Sequence, residues 1–180
     1  MDIDQDLAGL RVALNRCREL RADGAAGPAR EAEVSAWSVD QHLYHMALAC
    51  DLSLRNVESL VAQKGLLIAE GVEPSEGTRA FFELEHFPRG QAEAPRMVRP
   101  SDEVNAEFLA REQEGNLQLL QRLSQNPGAI TTAPNHIPHQ LLGPLSAAMW
   151  LCFARLHTLH HLAIVDDVLA AVAIRDDEQS

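Results

Sequence analysis

The sequence contains few aromatic residues and few cysteines. Aromatic side chains make up 4% of the 180 residues, while alanine and leucine are abundant, which favours helices over a β-sandwich. The three cysteines, Cys17, Cys50 and Cys152, are far apart and form no Cys-x-x-Cys motif. A zinc ribbon and a thioredoxin-type redox pair are therefore disfavoured. An odd, scattered set of cysteines is typical of free thiols in a reducing compartment.

Positive charge is also scarce. Lysine and arginine number 15 against 26 acidic residues, a formal net charge of −11, which argues against nucleic-acid or anionic-membrane partners. The first six residues lack the basic and apolar runs of a secretory signal. Arg155, three histidines and two aspartates interrupt the longest apolar segment, 145–174, so we expect it to be too polar to cross a bilayer. These features predict a soluble cytoplasmic protein.

Apolar periodicity predicts four long helices in an all-α chain. The second begins at Ser38, because the segment Ser38-Val39-Asp40-Gln41 has the form of a capping box. Four helices of this length favour a four-helix bundle, and the chain length favours one domain over residues 1–180. The predicted ranges are 3–20, 38–63, 101–125 and 146–174.

A long connecting loop, 65–100, separates the second and third predicted helices. It is rich in glycine and proline and carries Phe81, Phe82 and Phe87, which we expect either to cover a substrate or to anchor the loop to the bundle. Residues 125–144 form a second proline-rich loop, and residues 175–180 are expected to be a frayed tail.

Histidine is the unusual residue of this chain. There are eight, and His157 and His161 in the fourth predicted helix differ by only about 40° around the helix axis. They share an apolar face, and Arg155 and Asp166 lie on the opposite one. Two imidazoles spaced at i and i+4 can bind one metal ion from a single helix. The alternative is a pair of core histidines that are hydrogen-bonded internally.

The second predicted helix carries His42 and His45. Both point away from its charged face, and periodicity does not choose between them as inward groups. If this helix faces the fourth, a three-histidine site forms with one coordination position open, as in catalytic metal sites. His160 lies at the edge of the apolar face and is a candidate proton carrier.

Two motifs resemble the DinB/YfiT-like superfamily. Residues 37–45, Trp-Ser-Val-Asp-Gln-His-Leu-Tyr-His, are similar to the opening of its second helix, and residues 156–161, Leu-His-Thr-Leu-His-His, are similar to its H-x-x-H-H segment. The resemblance implies a DinB/YfiT-type four-helix bundle, frequently homodimeric, with a divalent metal, often zinc or nickel, on His45, His157 and His161. It also implies a thiol-dependent transferase or isomerase that uses a low-molecular-weight thiol. Residues 162–164, Leu-Ala-Ile, depart from the Arg-Gly-Gln often found after the histidine pair.

These patterns favour a metal-dependent enzyme with a small-molecule substrate, which conjugates or transfers a low-molecular-weight thiol. A metal-dependent hydrolase is the alternative within the same class. The second class is a non-catalytic metal-binding or stress-response protein, and the third is a helical protein whose histidines have only a structural role.

Overall fold

Most of the chain is helical. The computed structural model describes residues 1–89 and 93–178. Its elements are α1 (Ile3–Ala22), α2 (Val39–Ala62), α3 (Glu76–Glu83), a 3-10 turn (Arg96–Val98), α4 (Ala106–Leu123), α5 (Pro127–Thr132), an antiparallel hairpin of β1 (Ile137–His139) and β2 (Gly143–Leu145), and α6 (Ala147–Glu178). The expectation of an all-α chain is confirmed in that the chain is mostly helical, and the short hairpin was not predicted.

The four long helices pack on one another through apolar side chains. Helix α2 lies against α6 and α4, and α1 lies against the same two helices. Leucine, valine and isoleucine dominate the buried interior, and all three cysteines are free and buried there. Burial of this apolar surface stabilises the helix packing, and it positions α2 beside α6, where the histidine motifs lie.

The start of α2 matches its sequence signal. The Ser38 hydroxyl accepts a hydrogen bond from the backbone N–H of Gln41, and the Gln41 side chain accepts one from the backbone N–H of Ser38. The backbone N–H of Asp40 donates to the Gly27 carbonyl at 3.0 Å. A Cβ at residue 27 would overlap the Asp40 carboxylate, so the preceding turn requires glycine at this position. This cap fixes the helix turn that carries the first histidines.

Two helix ends differ from the predicted ones. The third long helix begins at Ala106, because Asn105 and not Ser101 accepts a hydrogen bond from the first turn, while the Ser101 hydroxyl donates to the Glu103 carbonyl. Helix α6 continues to Glu178, so the predicted frayed tail, 175–180, begins as helix, with Arg175 donating to Glu31 at 3.1 Å. Residues 179–180 of that tail lie outside the described residues.

Both predicted loops contain regular structure. Helix α3 and the 3-10 turn interrupt the 65–100 segment, and Ser75 caps α3 by accepting from the Thr78 N–H at 3.0 Å. The 125–144 segment forms α5 and then the hairpin, with Asn126 as the N-cap of α5. These elements are too short for helical or alternating periodicity to reveal them.

The position of Arg155 on the face of α6 opposite the histidines predicts exposure to solvent, but Arg155 is buried. It is 8% exposed, and its Nε donates to Asp6 on α1 at 2.6 Å. Gly9 allows this approach, because a Cβ there would lie 2.8 Å from the Arg155 side chain. Desolvation raises the pKa of the Asp6 carboxyl despite the neighbouring guanidinium. The pair joins α1 to α6 inside the fold.

The apolar character of α6 also differs from expectation. Within Ala147–Arg175 an 18-residue window has a mean hydropathy of 1.3, so by length and composition this helix could cross a membrane. Polarity alone therefore does not exclude a membrane span, contrary to the sequence-based expectation. This window is 22% buried in the structure, and α6 packs along both α1 and α2.

Breaking the buried ion pair should destabilise the fold. Arg155→Met leaves the Asp6 carboxylate buried without its cation, and we expect the free energy of unfolding to fall by about 3 to 5 kcal/mol in chemical denaturation. Arg89→Met is the matched control, because its pair with Asp167 is exposed, and about 1 kcal/mol or less is expected there. Adding Asp6→Leu to Arg155→Met should restore much of the loss. Equal effects of the two arginine variants would contradict this account.

Candidate metal centre

Three histidines from α2 and α6 converge on one point. One ring nitrogen each of His45, His157 and His161 lies within 4.8 Å of the other two, close enough for the three to hold a metal ion. The two Nε2 atoms of His45 and His157 are 3.1 Å apart. Nitrogen ligands about 2.0–2.1 Å from a tetrahedral zinc ion are separated by roughly 3.3 Å, so this spacing, which is also that of a hydrogen bond, allows both nitrogens to bind one ion.

The Val98 carbonyl orients His45. The carbonyl accepts a hydrogen bond from Nδ1 of His45 at 2.8 Å, so Nδ1 carries the proton and Nε2 presents its lone pair to His157. Val98 ends the 3-10 turn of the long insertion, 53 residues along the chain from His45. A carbonyl behind a ligand imidazole fixes its tautomer and ring orientation, as is common for metal-bound histidine.

His42 also lines this region but is not one of the three converging residues. Its Nδ1 is 3.1 Å from Nδ1 of His161, and its Nε2 is 2.9 Å from the Ser35 hydroxyl. The choice between His42 and His45 that periodicity leaves open is therefore made by the geometry. The bond to His42 occupies Nδ1 of His161 and leaves Nε2 of His161 available as a ligand.

Burial keeps these imidazoles neutral. Desolvation is the largest cause in each case, and it lowers the pKa of His42 to about 4 and the pKa values of His45, His157 and His161 below their ordinary range. The neighbouring imidazoles lower them further, because protonating one opposes protonating the next. A cluster of neutral imidazoles offers lone pairs, the form in which histidine binds metals.

The three converging rings lie at the inner wall of a cavity of about 840 Å³. The hairpin, α3 and the insertion form the other walls, and the two tryptophans of the chain, Trp37 and Trp150, both line it. Phe153 stacks on His157 with the ring planes at 14°, and Trp37 stacks on His161 at 20°. A fourth ligand on a metal at this site would therefore come from the cavity.

His160 lines the same cavity without joining the three. Its ring centroid is 5.1 Å from that of His161, and desolvation and the nearby Arg89 lower its pKa. It is therefore placed to exchange protons with a molecule in the cavity. Its role as a proton carrier stays a prediction.

Several residues of the site carry no sequence signal. Val98 contributes through its backbone, and Ser35 is one hydroxyl in an irregular segment. Trp37 is half-buried and lies against the rings of His42, His45 and His161. Its place within the histidine motif is the one signal that points to the site.

The donor set fits a divalent metal. Three neutral imidazoles match zinc or nickel, and an open face toward the cavity matches a catalytic site better than a closed structural one. In the metal-free state the Nε2 of His157 must donate its proton to the bare Nε2 of His45, because Nδ1 of His45 holds the proton of that ring. Metal binding would displace this shared proton.

Measurements of metal binding should distinguish the histidines that are metal ligands from the histidine that orients one of them. We expect one zinc ion per chain by elemental analysis of protein purified without a nickel column. His157→Ala should abolish stoichiometric binding, since two imidazoles remain. His42→Ala should weaken zinc affinity by about 10- to 100-fold, because only the group that orients His161 is lost.

The matched control is His86→Ala, which removes an exposed imidazole bonded to its own loop at the Leu84 carbonyl. Its zinc affinity should equal that of the unmodified protein. A site in which His42→Ala and His157→Ala lose zinc equally would make His42 a ligand and contradict the geometry.

The metal-free protein should lose stability in mild acid. Folded-state pKa values below 6.5 mean that the unfolded chain binds protons first, so the free energy of unfolding falls as pH drops from about 6.5 toward the folded-state pKa values. Each such imidazole adds about 1.4 kcal/mol per pH unit to the slope. Denaturant titrations from pH 7.5 to 5 measure how the free energy of unfolding changes with pH. His157→Gln should reduce this pH dependence by the contribution of one imidazole. A flat profile between pH 7 and 5 would rule out buried neutral imidazoles.

Comparisons of this chain with protein-family models, with curated proteins and with solved structures return no match. The functional interpretation therefore rests on the two histidine motifs and on the geometry at which they meet.

Proposed function

We propose that this protein is a metal-dependent enzyme with a catalytic zinc or nickel ion on His45, His157 and His161. The observation that supports this most directly is the position of the three imidazoles, which converge at the wall of a cavity large enough for a small-molecule substrate. The proposal includes a DinB/YfiT-type four-helix bundle, on the strength of the two motifs and the packing of four long helices.

A divalent metal bound there supplies a nucleophile near neutral pH, because it lowers the pKa of a thiol or water that coordinates to it. The protein residues supply orientation and a dry environment. Val98 and His42 hold the ligand rings of His45 and His161. Phe153 packs flat on His157, and this apolar contact limits access of water to that side of the site.

We favour thiol transfer over hydrolysis within this proposal. Metal-dependent hydrolases commonly place a carboxylate general base beside the metal, as in the H-E-x-x-H motif. Among the described residues that line the cavity the sole carboxylate is Glu93, whose side chain is 95% exposed and lies 3.6 Å from Arg99. A thiol needs no strong base, since its ordinary pKa is already near 8.5. His160 can take the thiol proton and pass it to solvent.

Conjugation of a thiol should depend on both metal and imidazoles. Zinc- or nickel-loaded protein is offered glutathione, mycothiol or bacillithiol with chlorodinitrobenzene, and release of chloride is followed as the thioether forms. We expect at least one thiol to react about tenfold or more faster than its uncatalysed background, a modest effect for an enzyme. His157→Ala and chelated protein should return to background, and His86→Ala should keep full activity.

The outcomes separate the candidate functions. Hydrolysis of p-nitrophenyl acetate without thiol, lost in His157→Ala, would identify the hydrolase alternative. Stoichiometric metal without activity in either assay would support a non-catalytic metal-binding protein. Absence of stoichiometric zinc and nickel would refute the metal enzyme and leave the structural role.

A further inference from the structure

We propose that the cavity beside the three histidines binds an uncharged aromatic compound that carries a hydrogen-bond acceptor. The claim that this compound is a substrate rests on the proposed function. The claim that it binds in the cavity rests on the cavity walls alone.

Charge is nearly absent from the cavity walls. Of the described residues that line it, only Glu93 and Arg99 are charged, and they lie 3.6 Å from each other with more than half of each side chain exposed. Arg89, which lies near His160, is paired with Asp167 at 2.7 Å. A carboxylate or phosphate bound inside would lose its hydration without gaining a cationic side chain, which is costly unless it coordinates a metal on the three histidines. The lining therefore selects against a ligand that buries its charge against these walls, and the carboxylates of a metal-bound thiol such as glutathione would have to stay in solvent.

Aromatic rings form a continuous wall. Phe87 is within 5.1 Å of Phe81 and 5.3 Å of Phe153, centroid to centroid, and Trp150 is 5.8 Å from Phe153. Their planes are tilted by 42° to 71°, the arrangements that aromatic pairs prefer. A wall of tilted rings offers a flat aromatic ligand both faces and edges to contact. Leu52, Leu142 and Ile164 complete the apolar surface.

His139 places one neutral donor in this wall. Its Nδ1 accepts hydrogen bonds from the backbone N–H groups of Leu141 and Leu142 at 3.2 and 3.3 Å, so the proton of the neutral ring is on Nε2. Desolvation lowers the pKa of His139, which keeps the ring neutral at pH 7.5. No residue in the described part of the chain hydrogen-bonds Nε2. A ligand carbonyl or nitro oxygen is the kind of group that would accept from it.

The size of the cavity agrees with this class. Small-molecule sites generally have volumes of about 300–1,000 Å³ with apolar walls and a few placed polar groups. The cavity measures about 840 Å³, so a ligand of two or three fused rings fits together with a second, metal-bound molecule.

Three naphthalenes of nearly equal shape test the proposal. Equilibrium dialysis of metal-free protein at pH 7.5 is carried out with 2-acetylnaphthalene, which is neutral with an acceptor, 2-naphthoate, which is charged, and 2-ethylnaphthalene, which is neutral without an acceptor. We expect the ketone to bind at least tenfold more tightly than the carboxylate. The ketone should bind about fivefold more tightly than the ethyl compound, the effect of one neutral hydrogen bond.

Two variants assign the binding to this cavity. His139→Phe should remove the preference for the ketone over the ethyl compound while keeping the affinity of the latter. Leu52→Trp should fill the cavity and weaken both neutral ligands, and Leu66→Trp, at a fully exposed position outside the cavity, should change neither. Circular dichroism of each variant shows whether it is folded. Unchanged binding in a folded Leu52→Trp protein would overturn the assignment.

Metal analysis of the protein as purified without a nickel column, before metal is removed for dialysis, distinguishes failure of the ligand proposal from failure of the metal-enzyme proposal. Stoichiometric metal together with naphthoate binding as tight as the ketone would overturn the aromatic ligand and leave the metal enzyme standing. Absence of metal binding together with the expected ranking of the three ligands would support the proposed class of ligand. It would refute the role of that ligand as the substrate of a metal enzyme.

Discussion

The packing of α2 against α6 is the contact on which the rest of this structure depends. It is an ordinary apolar interface along most of its length, built from leucine, valine and alanine. At one level, however, it brings together imidazoles from both helices, and ring nitrogens that are turned away from water need hydrogen-bond partners there. The protein meets this requirement with a backbone carbonyl, a serine hydroxyl and the imidazoles themselves. The same arrangement brings one ring nitrogen each of His45, His157 and His161 within 4.8 Å of the others, and the capacity for metal binding follows from it.

Much of this arrangement was predictable from the sequence, because it depends on helical periodicity. The capping box at Ser38 and the inward face of His157 and His161 follow from local rules that the structure obeys. Periodicity could not separate His42 from His45, since both lie on the same side of α2. The choice depends on the rotation of α2 relative to α6, which is set by the whole core.

Other features were beyond sequence reasoning for physical reasons. Arg155 lies on the polar side of α6 by angle, yet it is buried, because α1 packs on that side and supplies Asp6. The position of the Val98 carbonyl depends on the path of the whole insertion. Elements of three to eight residues, such as α3 and the hairpin, are stabilised by tertiary contacts more than by their own propensity. That the chain is one domain and that it dimerises both stay predictions.

The placement of the two tryptophans has a consequence for how this molecule can be observed. Because both indoles border the same cavity, the tryptophan fluorescence of the protein arises from that one region. Binding of a metal or a quenching ligand there, or entry of water, would change the fluorescence of both tryptophans. No tryptophan elsewhere in the fold would add a constant background. The chain thus carries an intrinsic optical label at the place where its chemistry is proposed to occur.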